Sequence, residues 1–286
     1  MRRHRAAGGP PALLLLDIGN TRLKWALCTA RAFTRQGVMP LSSLRRSDAP
    51  LRALMARMPT GVSIVACNVA GAALEARVRA CAKAAQLSGV RFVQSTARAA
   101  GVRNGYREAW RLGADRWVAM IGAHASRPRR ALCLVSIGSA LTIDLLTSAG
   151  LHLGGCIAPG PQMMIESLLQ QTAGIRRRAQ LGNEALIAQA LATQPRAVRV
   201  GRAARSPVFA KATREALLAG ARYACAALIE RAAQQARSRV HGRVLVVVSG
   251  GGAGAIAPLL QLRYQRDDDL VLHGLATLAR AWRLIA

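Results

Sequence analysis

The chain of 286 residues reads as an α/β protein built from two related lobes, each a mixed sheet flanked by helices. Three observations carry this expectation. Apolar strand-like runs within 13–18, 61–70, 131–146 and 244–249 are separated by helical patterns, the order of sheets covered by helices. Two stretches share one plan: LLLDIGNTRLKWAL and CLVSIGSALTIDLL each run apolar strand, polar residue, Ile-Gly, small hydroxyl or amide, strand. That is a faint internal repeat. Third, three strands end in glycine turns, at Gly19, at Gly138 and at Gly250 to Gly252.

Residues 1–11 read as a basic extension, 12–125 as the first lobe and 126–286 as the second. ALLLLDIGN is a strand closed by a turn at Gly19 and Asn20, and RLKWAL alternates as its hairpin partner. GVSIVACNVA (61–70) is a buried strand and AALEARVRACAKAAQ (72–86) a helix. A helix starts near Asp115, and the second hairpin covers 131–150. Helical patterns follow at 162–172, 183–193 and 210–238; then VLVVVSGGGAG is a strand ending in glycines, and a last helix closes the chain. Asp267 to Asp269 read as a solvated turn before a strand, Met163 and Met164 as helix packing, and His124 and His152 as isolated structural residues.

Composition excludes several classes. Apolar residues make up 52%, enough for a sizeable core. The 41 Lys and Arg against 13 Asp and Glu give a formal charge of +28, nearly all arginine, since Lys24, Lys83 and Lys211 are the only lysines. A nucleic-acid partner would fit such a balance. Yet arginine and alanine are spread through helices, loops and tails alike, and aromatics reach only 3%, so the excess reads as compositional. Six scattered cysteines without a CxxC pair suit buried thiols in a reducing cytoplasm. The first residues imitate a signal peptide, but the apolar run stops at Asp17, short of the roughly 7–15 residues required. No apolar run reaches the ~18 residues of a membrane helix. A cytoplasmic location without membrane contact is the expectation.

The chemistry gathers at the turns. An unpaired carboxylate at Asp17, after four leucines, costs several kcal/mol unless something compensates it. Glycine turns converge backbone N–H groups on anions, and small hydroxyls add donors. The first turn offers Asp17, Asn20, Thr21 and Lys24; the second Ser136, Ser139, Thr142 and Asp144. Asp144 reads either as metal-assisting or as a hairpin cap. No Walker motif or opening GxGxxG is present, which argues against P-loop and Rossmann chemistry. The remaining arrangement is paired hairpins clamping phosphates, with Asp17 toward Mg²⁺. Asp115 fits either an ordinary N-terminal cap or a general base, with Arg116 pairing to a substrate carboxylate.

Four blocks then make a resemblance specific: DIGNTRLKW (17–25), NGY…LGADRW (104–117), GSALTID (138–144) and LGGCIAPGPQMMIESL (153–168). With TREALLAG (213–220) and DDLVLHGL (268–275), they span most of the chain, and it resembles the type III pantothenate kinases of the acetate-kinase, sugar-kinase, Hsp70 and actin superfamily. The resemblance implies two actin-like, ribonuclease H-like lobes with the nucleotide site in the cleft between them. It implies phosphorylation of pantothenate to 4'-phosphopantothenate by ATP, the first step of coenzyme A biosynthesis. Asp115 would then be the base. Asp17, Ile18, Gly19, Asn20, Thr21, Arg22, Leu23, Lys24 and Ser139 would bind ATP, Asp17 through Mg²⁺. Tyr106, Gly113, Ala114, Asp115, Arg116 and Thr213 would bind pantothenate, and the enzyme would be a homodimer.

Departures from the family pattern are informative. Ser136 stands where an aspartate commonly holds a monovalent cation, K⁺ or NH₄⁺, so that requirement is in question. Ser139 replaces a threonine, Ala109 a proline and His273 a glutamate. A competing reading is a kinase-like regulator acting as an accessory factor in gene expression, motivated by the charge and by Ser136. Retention of Asp17, Asp115 and Arg116 argues against it.

Overall fold

A computed structural model describes residues 12–30, 32–180, 186–187, 189, 191, 198–200, 203–205 and 208–285. The basic stretch 1–11 and most of the helix expected at 183–193 lie outside them. Two compact units emerge, Met1–Pro128 with Asp269–Ala286, and Arg129–Asp268.

In the first unit a five-stranded sheet has the order β3-β2-β1-β4-β5, from β1 (Leu13–Ile18), β2 (Arg22–Cys28), β3 (Phe33–Pro40), β4 (Ser63–Asn68) and β5 (Gly89–Phe92). β1 to β3 run antiparallel; β4 and β5 continue parallel to β1. Central β1 is an unbroken apolar run because both its faces are covered: Leu14, Leu15 and Leu16 are wholly buried. One face packs on α1 (Leu41–Arg46), α2 (Ala49–Met55) and α3 (Ala72–Ala84), where Leu44, Leu51, Val78 and Leu16 share one core. A small ribbon, β6 (Arg98–Ala99) with β7 (Val102–Arg103), leads through a 3₁₀ turn at Ala109–Arg111 into α4 (Ala114–Ser126).

The second unit repeats the plan. Its order β10-β9-β8-β13-β14 is formed by β8 (Ala131–Ile137), β9 (Ala140–Leu146), β10 (His152–Pro159), β13 (Val244–Ser249) and β14 (Tyr264–Arg266). Strand senses match the first sheet one for one. Thus the faint repeat in the sequence corresponds to a full duplication of topology, and Ser136 occupies the strand position that Asp17 has in the first unit. α5 (Pro161–Gln171), α6 (Ala173–Ala179), a short ribbon of β11 (Val198–Val200) and β12 (Ala203–Arg205), the 27-residue α7 (Thr213–Arg239) and α8 (Ala253–Ile256) complete it. Cys225, Ile229 and Ala233 of α7 pack on Val135, Ile143 and Val248 of the sheet.

The terminal helix α9 (Leu270–Ala281), expected with residues 126–286, belongs to the first unit. It packs on α4, where Gly122 and Gly274 permit a close crossing: a Cβ on Gly274 would lie 1.9 Å from the Val118 carbonyl oxygen. The expected solvated turn at Asp267 to Asp269 therefore precedes a helix rather than a strand, and Asp269 occupies its N-cap position. Among the described residues no helix is long and apolar enough to cross a membrane.

Candidate functional site

In the first unit the site begins where β1 meets its turn. Asp17 lies in register with Lys24 on β2 and Cys67 on β4. Gly19 closes the hairpin by donating its N–H to the Arg22 carbonyl at 3.0 Å. Asn20, Thr21 and Arg22 are exposed at this tip, while Ile18 and Leu23 are buried and serve as its anchor. Burial is the main force on Asp17; with the carboxylates of Asp115 and Asp269 adding to it and Lys24 opposing it, the carboxyl is pushed up to about 7. The same burial, with Asp17 and Asp115 adding to it, holds the Cys67 thiol well above the ordinary range. Cys67 is therefore a neutral wall to the site rather than a nucleophile.

Asp115 is placed by the start of α4, whose N-cap is Gly113. Its Oδ1 accepts the Arg116 backbone N–H at 2.8 Å, so the carboxylate folds back over the helix N-terminus. Gly113 is needed for that fold, because a Cβ there would stand 2.7 Å from Asp115 Oδ1. Next along the helix, Arg116 is buried and donates from Nη1 to the Tyr106 hydroxyl at 3.0 Å. Its guanidinium also faces the Tyr106 ring, 5.6 Å from the centroid. A cation held this way, at a helix N-terminus and beside a phenol, suits capture of a small carboxylate.

The second unit carries its own glycine turns. Ser136 lies in register with Thr142 and Ser249, a row of hydroxyls where the first unit has Lys24, Asp17 and Cys67. Gly250 has φ +97°, and a Cβ on it would lie 2.4 Å from the Ile137 carbonyl oxygen. Only glycine brings the third turn so close to the second. Gly252 and Gly160 then donate N–H groups to the Ile137 and Ser139 carbonyls, both at 2.8 Å.

Of the expected site residues, the structure brings Asp17, Lys24 and Asp115 to one charge cluster and joins Tyr106 to Arg116. Ser136, Ser139 and Thr213 belong to the other unit, Thr213 as the first residue of α7. His152 is not isolated. Its Nε2 lies 2.9 Å from Asp144 Oδ1 with both side chains buried, so Asp144 is a structural partner across β9 and β10. At the start of α5, Met164 packs against the core as expected, whereas Met163 is 44% exposed; both line an apolar groove of about 580 Å³ with Leu168, Leu217 and Ala221.

Two residues were missed. Asp269 gives no sign in the local sequence that its charge bears on Asp17. Asn104 did carry a signal, an Asn two residues before an N–H it could accept from. Among the described residues no three His, Cys, Asp or Glu side chains form a metal-ligating group. Oxygen donors around Asp17 still fit Mg²⁺, which is held by one or two carboxylates together with phosphate oxygens.

Comparison with known proteins agrees with this geometry. A family model described as type III pantothenate kinase matches residues 13–235. The type III pantothenate kinase of Burkholderia mallei (strain ATCC 23344) is 40% identical over 270 residues, covering 94% of this chain and 99% of that one. Among solved structures, MreB5 of Spiroplasma citri bound to ADP aligns with TM-score 0.54 at 10% identity, covering 92% and 94% of the two chains. A protein described as a 2-dehydro-3-deoxygalactonokinase from Sinorhizobium meliloti aligns at 0.52 and 15%, covering 96% and 98%. The fold is thus the actin-like one of two related α/β lobes.

Proposed function

The chain belongs to the type III pantothenate kinase family, and from that premise we propose how its own residues perform the reaction. It phosphorylates pantothenate with ATP in coenzyme A biosynthesis. The observation that carries the assignment of roles is the meeting, in one unit, of the Asp17 and Asp115 carboxylates with the Arg116–Tyr106 pair.

Asp115 takes the proton from the acceptor hydroxyl of pantothenate as that oxygen attacks the γ-phosphorus. Arg116 and Tyr106 hold the pantothenate carboxylate, with Gly113 and Ala114 forming the backbone wall. Asp17, Gly19, Asn20, Thr21, Arg22 and Lys24 bind the ATP phosphates, on the hairpin that the buried Ile18 and Leu23 anchor. Asp17 would hold Mg²⁺, which neutralises charge on the transferred phosphate. The second turn supplies no carboxylate for a monovalent cation: Ser136 offers a neutral hydroxyl, and Asp144 is engaged with His152. Turnover is accordingly assigned without a potassium requirement.

We place the enzyme in the cytoplasm, where its six free thiols persist. It acts as a homodimer, a reading supported by the apolar groove between α5 and α7, one helical turn beyond Thr213. The alternative role in gene expression is not favoured, because both carboxylates are present. Asp115→Asn tests the assignment. The rate of phosphopantothenate formation should fall by on the order of 10²–10⁴ with the melting temperature unchanged. A variant that keeps its full rate would remove Asp115 as the base.

A further inference from the structure

We propose that Asn104 is the positioning residue of the pantothenate pocket, holding Tyr106 where Arg116 can use it. The proposal rests on the reading that Tyr106 and Arg116 hold the substrate carboxylate.

Asn104 is 9% exposed and uses both ends of its amide. Oδ1 accepts the Tyr106 N–H at 3.0 Å. Nδ2 donates to the Ala109 carbonyl at 3.1 Å and to the Thr96 carbonyl at 3.3 Å. Its own N–H donates to the Ala97 carbonyl at 2.9 Å, across the β6–β7 ribbon. One side chain therefore ties three segments: the loop after β5, the Tyr106 turn and the 3₁₀ turn that leads into Gly113.

The chemistry admits few substitutes. The acceptor must face an N–H and the donors must face carbonyls, which sets the amide's orientation. Aspartate has the right length but would point a carboxylate at two carbonyl oxygens. Serine can accept the Tyr106 N–H, more weakly, but is too short to reach the Thr96 and Ala109 carbonyls, and glutamine adds a methylene in a buried space. Without Asn104, the Tyr106 turn loses the amide bond that holds its backbone N–H and its tie to the 3₁₀ turn, while Arg116 keeps its place on α4. The two halves of the carboxylate clamp would then lose their mutual geometry, and positioning losses of this kind fall on the bound substrate.

Asn104→Asp and Asn104→Ser test this through KM for pantothenate, KM for ATP, kcat and melting temperature. Loss of the buried bonds should raise KM for pantothenate about tenfold or more in both variants. KM for ATP should stay within about twofold, since the loss is confined to one substrate. A loss confined to kcat or to melting temperature, with KM for pantothenate unmoved, overturns the proposal. Tyr106→Phe and Arg116→Lys run beside them. If these also leave KM for pantothenate unmoved, the reading of the pocket fails; if only they raise it, Asn104 alone fails. Should neither Asn104 variant fold, hydrogen exchange on the native chain decides. The Tyr106 amide should be protected before pantothenate is added, and exchange at the rate of an open loop overturns the proposal.

Discussion

The buried carboxylate of Asp17 costs the ligand-free protein stability, which bound Mg²⁺ and ATP would return. An acid whose folded pKa is raised from 3.8 to about 7 ionises less readily in the fold than in the unfolded chain. The folded state therefore binds the extra proton, and stability falls as pH rises from about 4 to about 7. Asp17→Asn removes that dependence. Its melting temperature should match the wild type near pH 4 and exceed it at pH 8, where the gain in stability is on the order of 4 kcal/mol. At pH 8, adding Mg²⁺ and ATP should stabilise the wild type and not the variant. Thermal melts across pH measure both, and a variant less stable at pH 8 would contradict the burial account. Asp17 was legible in the sequence because a carboxylate after four leucines is chemically out of place. Asp115 and Arg116 were legible from their place at a helix start, and Tyr106 only through the family resemblance. Asn104 and Asp269 were less so, because each acts through contacts set by loops that fold only when the unit forms. His152 was misread for the same reason: its partner, Asp144, lies on the neighbouring strand.

At the scale of elements, hairpins and helices with clear periodicity were readable, and edge strands were not. β1, β4, β8 and β13 are apolar runs buried in sheet interiors, and their turns carry glycine. β10 reads HLGGCIAP and has three consecutive exposed residues, Gly155, Cys156 and Ile157, so it shows neither alternation nor a buried run. β3 and β14 are similarly exposed edges, and such strands are defined by their neighbours rather than by their own pattern. Helices α5 and α7 make the apolar groove described above, with Leu168 43% and Met163 44% exposed. Covering that face by a second copy predicts that at micromolar concentration the wild type sediments as a dimer and Leu168→Glu as a monomer. A variant dimer of unchanged affinity would remove this face from the interface.

For the whole molecule, duplication explains both what is shared and what differs. Each unit carries one central hairpin with a polar residue before Ile-Gly, Asp17 in the first and Ser136 in the second. The first kept its carboxylate and gathered Asp115 and Asp269 toward it; the second has a row of hydroxyls. That asymmetry could be read from the repeat, whereas the assignment of α9 to the first unit could not. Nothing in the helix's own amphipathic pattern names the surface it covers; the close approach of Gly274 to Val118 does. The most direct test of the central claim is mass-spectrometric detection of phosphopantothenate after the purified chain is incubated with ATP, Mg²⁺ and pantothenate, in potassium and in potassium-free buffer. Product at equal rates in both buffers, within the ~1–100 s⁻¹ of kinases, is the result the account predicts. Absence of product in both buffers from folded protein would contradict the kinase assignment, and product in potassium alone would contradict the reading of Ser136.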